Sequence, residues 1–344
     1  MLLFIKKCTF QSNLYFCKRL FSCSTARKEK YNNEYILDSN QTLVLRREDA
    51  KFLKVAIVGL PNNGKSTLIN QLTKRTVCPT SSKVHTTMHK FETVYSENDT
   101  QIVFMDTPGL TAPHEMKKYN LAKTFKNDPA ESIAEADVIG ILQDVTNIFT
   151  RVKISDIILD CLKSKRDDAS LLLILNKVDK LKKKVTLLEI INQLTNKSLL
   201  KFDDIFMVSA LTGDGVDDLR NYLLDSAKIN DWQYEKDAFT DQSLETVIEE
   251  TVRAKLLDHL NQEIPYNIKT KLEHFDISED GTISAVVLLK CNKKRNVFCL
   301  LKQKGQPLKT IAMAVEKELR NAFRTHVIVR LSVETDQPKE EQAK

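Results

Sequence analysis

The sequence predicts an α/β fold with a mostly parallel, doubly wound sheet, followed by a smaller α+β unit. Three observations carry that expectation. Short apolar runs recur from Lys51 onward and alternate with amphipathic stretches of helical length, as in a parallel sheet covered on both faces. A glycine-bearing turn follows the first of these runs and opens a helix-like segment. Past residue 242 the alternation gives way to one long amphipathic stretch, two alternating runs around an Asp-Gly turn, and a closing apolar run.

Each element has its own justification. Residues 29–50 are polar and weakly periodic, and read as a linker. KFLKVAIVGL, starting at Lys51, is a β-branched apolar run ending in glycine, the composition of a strand buried on both faces. QIVFMD from 101, ADVIGILQD from 136, SLLLILNK from 170 and IFMVSA from 205 repeat it. The stretches 150–164, 185–196 and 215–228 are amphipathic and helical in length, so 51–228 reads as the first domain. The polar segment 229–242, with the only Trp, reads as the interdomain linker. Residues 243–261 place Leu244, Val247, Ile248, Val252, Leu256 and Leu260 near one helical face. Runs at 266–276 and 282–290 flank Ser278-Glu279-Asp280-Gly281, a hairpin signal. A short helix, a basic turn, a longer helix near 306–322 and the strand HVIVRLSV complete a second domain, 243–335. Residues 336–344 form a charged tail.

Composition bounds the function. A length of 344 residues allows two ordinary domains. With 8 Gly and 8 Pro against 42% hydrophobic residues, collagen-like and largely disordered classes are excluded. The net charge of +6 equals the six cations of residues 1–28, Lys6, Lys7, Lys18, Arg19, Arg27 and Lys28, where no acid occurs. The remainder is neutral, so any case for nucleic acid rests on local clustering. The basic, acid-free leader mixes Leu and Phe with Ser and Thr, as a mitochondrial presequence does. Lys6–Lys7 and Lys18–Arg19 interrupt the apolar region a secretory signal needs. No stretch approaches the roughly 18–20 apolar residues that cross a bilayer. Cys78, Cys161, Cys291 and Cys299 are scattered without a CxxC, which fits a reducing compartment and excludes a disulfide framework or zinc site.

The chemistry lies in four motifs. Gly59-Leu60-Pro61-Asn62-Asn63-Gly64-Lys65-Ser66, followed by Thr67, matches GxxxxGK[ST] between a buried strand and a helix. Its glycines let backbone amides curl around phosphate oxygens, and the helix N-terminus adds its dipole. Lys65 reaches the β- and γ-phosphates, and Ser66 places a hydroxyl for Mg²⁺. A chance glycine-bearing turn is the bland alternative, and a match of this length in this context argues against it. Asp106-Thr107-Pro108-Gly109 follows an apolar run, with Asp106 for the magnesium shell and the Gly109 amide to sense the γ-phosphate. Between these motifs lies the polar stretch 81–90. A threonine there adds a metal-binding hydroxyl when triphosphate is bound; Thr86 and Thr87 both qualify. The catalytic set is therefore Lys65, Thr87 and Gly109. Asn176-Lys177-Val178-Asp179 selects the base: Asp179 accepts from guanine N1–H and the exocyclic amine, which adenine cannot supply. Asn176 braces the site and the Lys177 stem covers the base. Ser209-Ala210-Leu211 ends the next strand, where an amide can meet guanine O6. Together these residues predict a P-loop GTPase domain that binds GTP and GDP with Mg²⁺.

GLPNNGKSTLIN, the paired threonines, DTPGL, NKVD and SAL resemble the Era family of ribosome-assembly GTPases. FTDQS, the stretch ending LLDHLNQEIPYNI and the basic helix–turn–helix after the hairpin resemble that family's C-terminal KH domain, of type II. The resemblance covers about 50–335 and, with the leader, implies a mitochondrial member. It further implies binding near the 3′ end of small-subunit ribosomal RNA, assistance to assembly of the mitochondrial small ribosomal subunit, a monomeric state and a matrix location. Leu110 stands where Ras-like enzymes place a water-orienting Gln, so slow intrinsic turnover is expected. Asn62 matches the Asn with which related GTPases bind K⁺, with a structural role in the loop as the alternative.

For RNA, residues 290–309 hold seven cations and no acid, a local attraction for phosphates. Lys293, Lys294, Arg295 and Lys309 flank the loop Lys302-Gln303-Lys304-Gly305, which matches the GXXG clamp of KH domains. Lys302 replaces its first glycine, exchanging close backbone approach for charge. A solvated basic surface is the bland alternative. Two other functional readings stand beside the assembly switch. One is an RNA-binding chaperone in which GTP is mainly structural and hydrolysis vestigial. The other is a GTPase in peripheral association with the inner membrane, against which the neutral remainder and the lack of an apolar span weigh.

Overall fold

The computed structural model describes residues 34–37, 43–46, 49–81, 83, 90–107, 109–110, 124–182, 185–197, 200–261 and 264–335. The expected presequence 1–28, the tail 336–344, Thr86, Thr87 and Pro108 lie outside the described residues.

Among the described residues two large sheets form. The first has the order β4 (Phe91–Glu97), β5 (Thr100–Asp106), β3 (Lys51–Val58), β6 (Val138–Asp144), β7 (Ser170–Asn176) and β8 (Asp204–Val208). All neighbours are parallel except β4, which runs antiparallel to β5, and the short β9 (Lys228–Ile229), which pairs antiparallel with β3. The helices α1 (Lys65–Thr73), α2 (Thr124–Glu135), α3 (Asp156–Cys161), α4 (Val185–Lys197) and α5 (Val216–Asp225) connect the strands. The apolar residues of β3 alternate between two cores. Val55 and Ile57 pack with Leu68 and Leu72 of α1 and Leu219 of α5. Ala56 and Val58 pack with Ile133 of α2 and Ile158 of α3. Burial on both faces explains why these strands read as unbroken apolar runs.

In three stretches the structure adds to or changes the sequence expectation. Inside 29–50, read as a linker, β1 (Glu34–Leu37) and β2 (Leu43–Arg46) pair antiparallel. Of the stretch 150–164, only Asp156–Cys161 is α-helical, followed by a 3-10 turn at Leu162–Ser164. Residues 150–155 are spent on turns closed by Thr150 N–H to Asn147 O and Lys153 N–H to Thr150 O, both 3.2 Å. The segment 229–242, read as the interdomain linker, runs as a strap along the sheet edge. Val94 N–H donates to Phe239 O at 3.0 Å, Glu92 N–H to Asp241 Oδ1 at 2.9 Å, and Trp232 Nε1 to Asp99 O at 3.1 Å.

The second sheet has the order β10 (Ile268–Ile277), β11 (Ile283–Cys291), β12 (Val327–Thr335). β10 and β11 are antiparallel around the turn at Gly281 (φ 82°), and β11 and β12 are parallel. Two helices cover one face: α6 (Leu244–His259), whose N-cap Ser243 accepts from Thr246 N–H, and α7 (Lys294–Phe323). Val247, Val252 and Leu256 of α6 meet Val315 and Leu319 of α7 over Ala285, Val287 and Leu289 of β11. α7 is broken: its backbone leaves the helical region from Lys302 to Gly305, dividing a short arm from a long one.

Candidate functional site

The phosphate loop joins β3 to α1. Gly64 caps α1 with φ 96°, and a Cβ there would stand 2.5 Å from Asn176 Nδ2, so both the dihedral and the space demand glycine. Asn62 also adopts a left-handed conformation, at φ 61°, which asparagine tolerates better than most residues. Three bonds hold the loop from outside. Asn63 Nδ2 donates to Leu142 O, Asn176 Nδ2 to Asn63 O and Lys177 Nζ to Asn62 O, each at 2.7 Å. They use carbonyls and side chains, while loops of this class bind phosphate through their N–H groups.

Lys65 is buried, with its Nζ 3.2 Å from the carbonyl oxygens of Gly59 and Leu60. Burial lowers its pKa to about 8, with the charge of Asp106 opposing. Ser66 Oγ donates to Asp106 Oδ2 at 2.8 Å, and Asp106 is fully buried at the end of β5. A hydroxyl and a carboxylate oxygen together at the loop mouth are the hard donors that suit Mg²⁺, whose remaining ligands come from water and substrate phosphates. The donor set therefore fits the ion, which when bound would neutralise charge on the substrate phosphates. No group of three or more His, Cys, Asp or Glu forms a separate metal cage among the described residues.

The second motif packs directly on the first. A Cβ on Gly109 would approach Pro61 Cα to 2.9 Å, so glycine is needed for the contact. Thr107 is buried, its Oγ1 donating to Ile57 O at 3.3 Å. Leu110 N–H donates to Gly59 O at 3.2 Å, and its side chain is buried in the core. Pro61, Gly64, Ser66, Thr67 and Gly109 share a cleft with Thr80 and Lys83, on the stretch leading into residues 84–89.

At the end of β7, Asn176 Oδ1 accepts from Lys177 N–H at 2.8 Å and from Ala210 N–H at 2.9 Å. Together with its bond to Asn63, it ties the phosphate loop to the two later motifs. Ser209 Oγ donates to Asp179 Oδ1 at 2.7 Å and orients that exposed carboxylate. Ala210 is buried and Leu211 exposed, so Leu211 contributes backbone rather than packing. The motifs did not point to Asp144 or Thr146. Asp144 Oδ2 pairs with Lys177 Nζ at 2.6 Å, and Asp144 Oδ1 accepts from Thr146 N–H and Oγ1 at 2.8 and 2.6 Å. Burial opposes the Asp144 charge, but the bonds from Lys177 and Thr146 outweigh it and hold the carboxyl below the usual range. Its signal in the sequence was position: it closes the run ADVIGILQD at the carboxyl edge of a parallel sheet, where ligands bind.

In the second domain, Lys293 caps α7, and Lys293, Lys294, Arg295, Lys302, Gln303, Lys304 and Lys309 are all exposed. Gln303, Lys304 and Gly305 have φ of 52°, 57° and 78°, a tight left-handed run at the break. Phe298 is 73% and Leu301 49% exposed, an apolar pair on the short arm beside these cations. Both were overlooked in the sequence because neighbouring Val297 and Leu300 carry the same apolar character and pack inward.

Residues 54–177 match the family model described as 50S ribosome-binding GTPase. The chain is 36% identical to the mitochondrial GTPase Era of Danio rerio, over 83% of this chain and 76% of that protein. The chain belongs to the Era family of GTPases. It is 32% identical to GTPase Era of Brucella suis biovar 1, over 77% of this chain and 82% of that one. A solved structure of Era with MgGDPNP and nucleotides 1506–1542 of 16S ribosomal RNA aligns with TM-score 0.69 at 27% identity, covering 84% of this chain and 95% of that one. Era-family proteins are GTP-hydrolysing enzymes. The first sheet with its helices is the P-loop GTPase domain of this one, and the second is consistent with the family's KH domain.

Proposed function

We propose that this Era-family GTPase is a mitochondrial assembly factor. It binds the 3′ region of small-subunit ribosomal RNA and assists assembly of the mitochondrial small ribosomal subunit in the matrix, as a monomer. Residues 1–28 act as presequence, 51–228 as the GTPase domain and 243–335 as the RNA-binding domain. The observation that carries this reading is the exposed, acid-free arm and loop of α7, in a chain similar along most of its length to an Era bound to 16S rRNA nucleotides. Lys293, Lys294, Arg295, Lys302, Lys304 and Lys309 attract the phosphate backbone, and Phe298 and Leu301 offer an apolar platform to unstacked bases.

In the GTPase domain, Gly59–Thr67 and Lys65 hold the phosphates. Ser66, Asp106 and a switch threonine, Thr86 or Thr87, hold Mg²⁺. The Gly109 amide senses the γ-phosphate, and Asn176, Lys177, Asp179 and the 209–211 turn read guanine. Buried Leu110 leaves the attacking water without a side-chain partner from that position, so turnover is slow until a partner or ion completes the site. The same reading gives Asn62 a K⁺ ion, whose charge would act where other enzymes use an arginine. Equal hydrolysis rates in K⁺ and Na⁺ buffers would remove that ion from the scheme.

Crosslinking the tagged protein to RNA in intact mitochondria, then sequencing the recovered RNA, tests the assembly role. Enrichment of small-subunit rRNA near its 3′ end, lost with Lys65→Ala, is the expected result. Enrichment elsewhere would leave the GTPase and withdraw its ribosomal target.

A further inference from the structure

A cleft of about 620 Å³ opens between the end of α1, the strand β4, the connecting strap and the second domain. It shares no lining residue with the phosphate-loop cleft, and its volume falls in the range of organic-ligand sites at domain boundaries. One wall is aromatic: Tyr95, Phe239 and Phe275 line it, and Phe239 is backed by buried Phe323 at 6.1 Å between ring centroids. Three cations, Arg75, Lys236 and Arg324, face two acids, Asp237 and Glu245.

Two arginines line this cleft together. Arg75 Cζ lies 4.9 Å over the Phe239 ring. Burial, and then the charge of Arg324, pull the Arg75 pKa down to about 10, and Asp237 opposes this. Among the described residues neither guanidinium makes a side-chain hydrogen bond or an ion pair. Arg324 is also the C-cap of α7 at φ 54°, a conformation glycine adopts freely and a residue with a Cβ does not. The left-handed turn at Arg324 is the way many helices end, and Arg75 rests on the Phe239 ring, but two like charges remain beside one aromatic wall. An anion between the guanidinium groups would relieve the repulsion.

We propose that this cleft binds an aromatic phosphate, a nucleotide whose base lies against the aromatic wall and whose phosphate bridges Arg75 and Arg324. Guanidinium forks suit phosphate, and base stacking on aromatic rings is sequence-tolerant. A free nucleotide and a nucleotide within a single RNA strand share this chemistry. The inference is independent of the RNA contact assigned to α7, which lies on other residues.

The test uses the full chain saturated with Mg·GDP, so that the guanine site is filled. ADP and a short single-stranded oligoadenylate are titrated separately, then in competition, and followed by calorimetry. Saturable ADP binding is expected, weakened about tenfold or more by Arg75→Gln and by Arg324→Gly, as loss of one charged phosphate contact implies. Arg324→Gly is also expected to raise the melting temperature of the free protein, since it removes strain and repulsion together. Oligoadenylate that displaces ADP, with the same sensitivity to Arg324→Gly, identifies an RNA strand as the source. ADP binding that oligoadenylate leaves untouched identifies a free nucleotide. No saturable binding of either probe, or binding that Arg75→Gln and Arg324→Gly leave unchanged, overturns the proposal. Should Arg75→Gln fail to fold, Arg324→Gly decides alone.

Discussion

Lys65 shows how burial tunes a single group for its ligand. Its folded pKa of about 8 lies below the ordinary lysine value of 10.5, because burial disfavours the ammonium more than Asp106 favours it. Between those values the unfolded chain binds more protons than the folded one. The burial penalty is thus fully present below about pH 8 and is relieved as pH rises through the window. A triphosphate placed against Lys65, as the proposed function requires, would restore the charge. Nucleotide binding at about pH 9.5 is therefore expected to take up close to one proton, and close to none at about pH 7. Calorimetry in buffers of different ionisation heat measures this, and proton-neutral binding at the higher pH would separate Lys65 from the phosphates. Asp144 acts through another residue: it fixes the Lys177 ammonium, which also holds the loop through Asn62 O. Asp144→Asn keeps the shape and removes the charge. GDP release should quicken about tenfold, equal to ~1.4 kcal/mol, in stopped-flow displacement of a fluorescent analogue. Unchanged release would leave Asp144 a purely structural residue.

At the scale of elements, the break in α7 carries its own strain. Gln303 and Lys304 hold left-handed dihedrals that cost roughly 1–2 kcal/mol each without glycine. Lys304→Gly is expected to stabilise the second domain by ~1 kcal/mol in denaturant unfolding while weakening RNA binding and its salt dependence. If RNA affinity holds, the lysine is merely solvated. Gly305→Ala should cost ~1 kcal/mol through conformation alone, because its φ is 78° and nothing lies within 4 Å of an added Cβ. Elements buried on both faces, such as β3, β6 and β7, were legible in the sequence because their unbroken apolar runs have no competing reading. β4 was not legible. FETVYSE has four consecutive buried residues, two of them polar, because the strap covers the strand from outside, and no local pattern announces a cover from 149 residues away.

For the whole molecule, the stretch that leads into residues 84–89 is bonded to the second domain. Thr76 N–H donates to Asn321 Oδ1 at 2.8 Å, Ser81 Oγ to Asp258 Oδ1 at 2.9 Å, and Lys83 Nζ to Leu260 O. Segments that order around γ-phosphate and relax after hydrolysis would act on the second domain through such contacts. Asn321→Ala with Ser81→Ala is expected to shrink the ratio of RNA affinities between triphosphate-analogue and GDP states. A coupling of ~1–3 kcal/mol is typical, and the double variant should lose about half of it. An unchanged ratio in filter binding would route any coupling elsewhere.

By itself the sequence determined the two-domain α/β and α+β order, the four nucleotide motifs and the basic loop. Each of these rests on local spacing: apolar periodicity, a glycine where a turn needs one, and charges close together in the chain. Tertiary structure alone decided what those residues touch. Asp144 beside Lys177, the strap on β4, exposed Phe298, and the cleft that sets Arg75 against Arg324 all join positions distant in sequence. Such contacts depend on how strands and helices pack in three dimensions, which no pattern within a short window encodes.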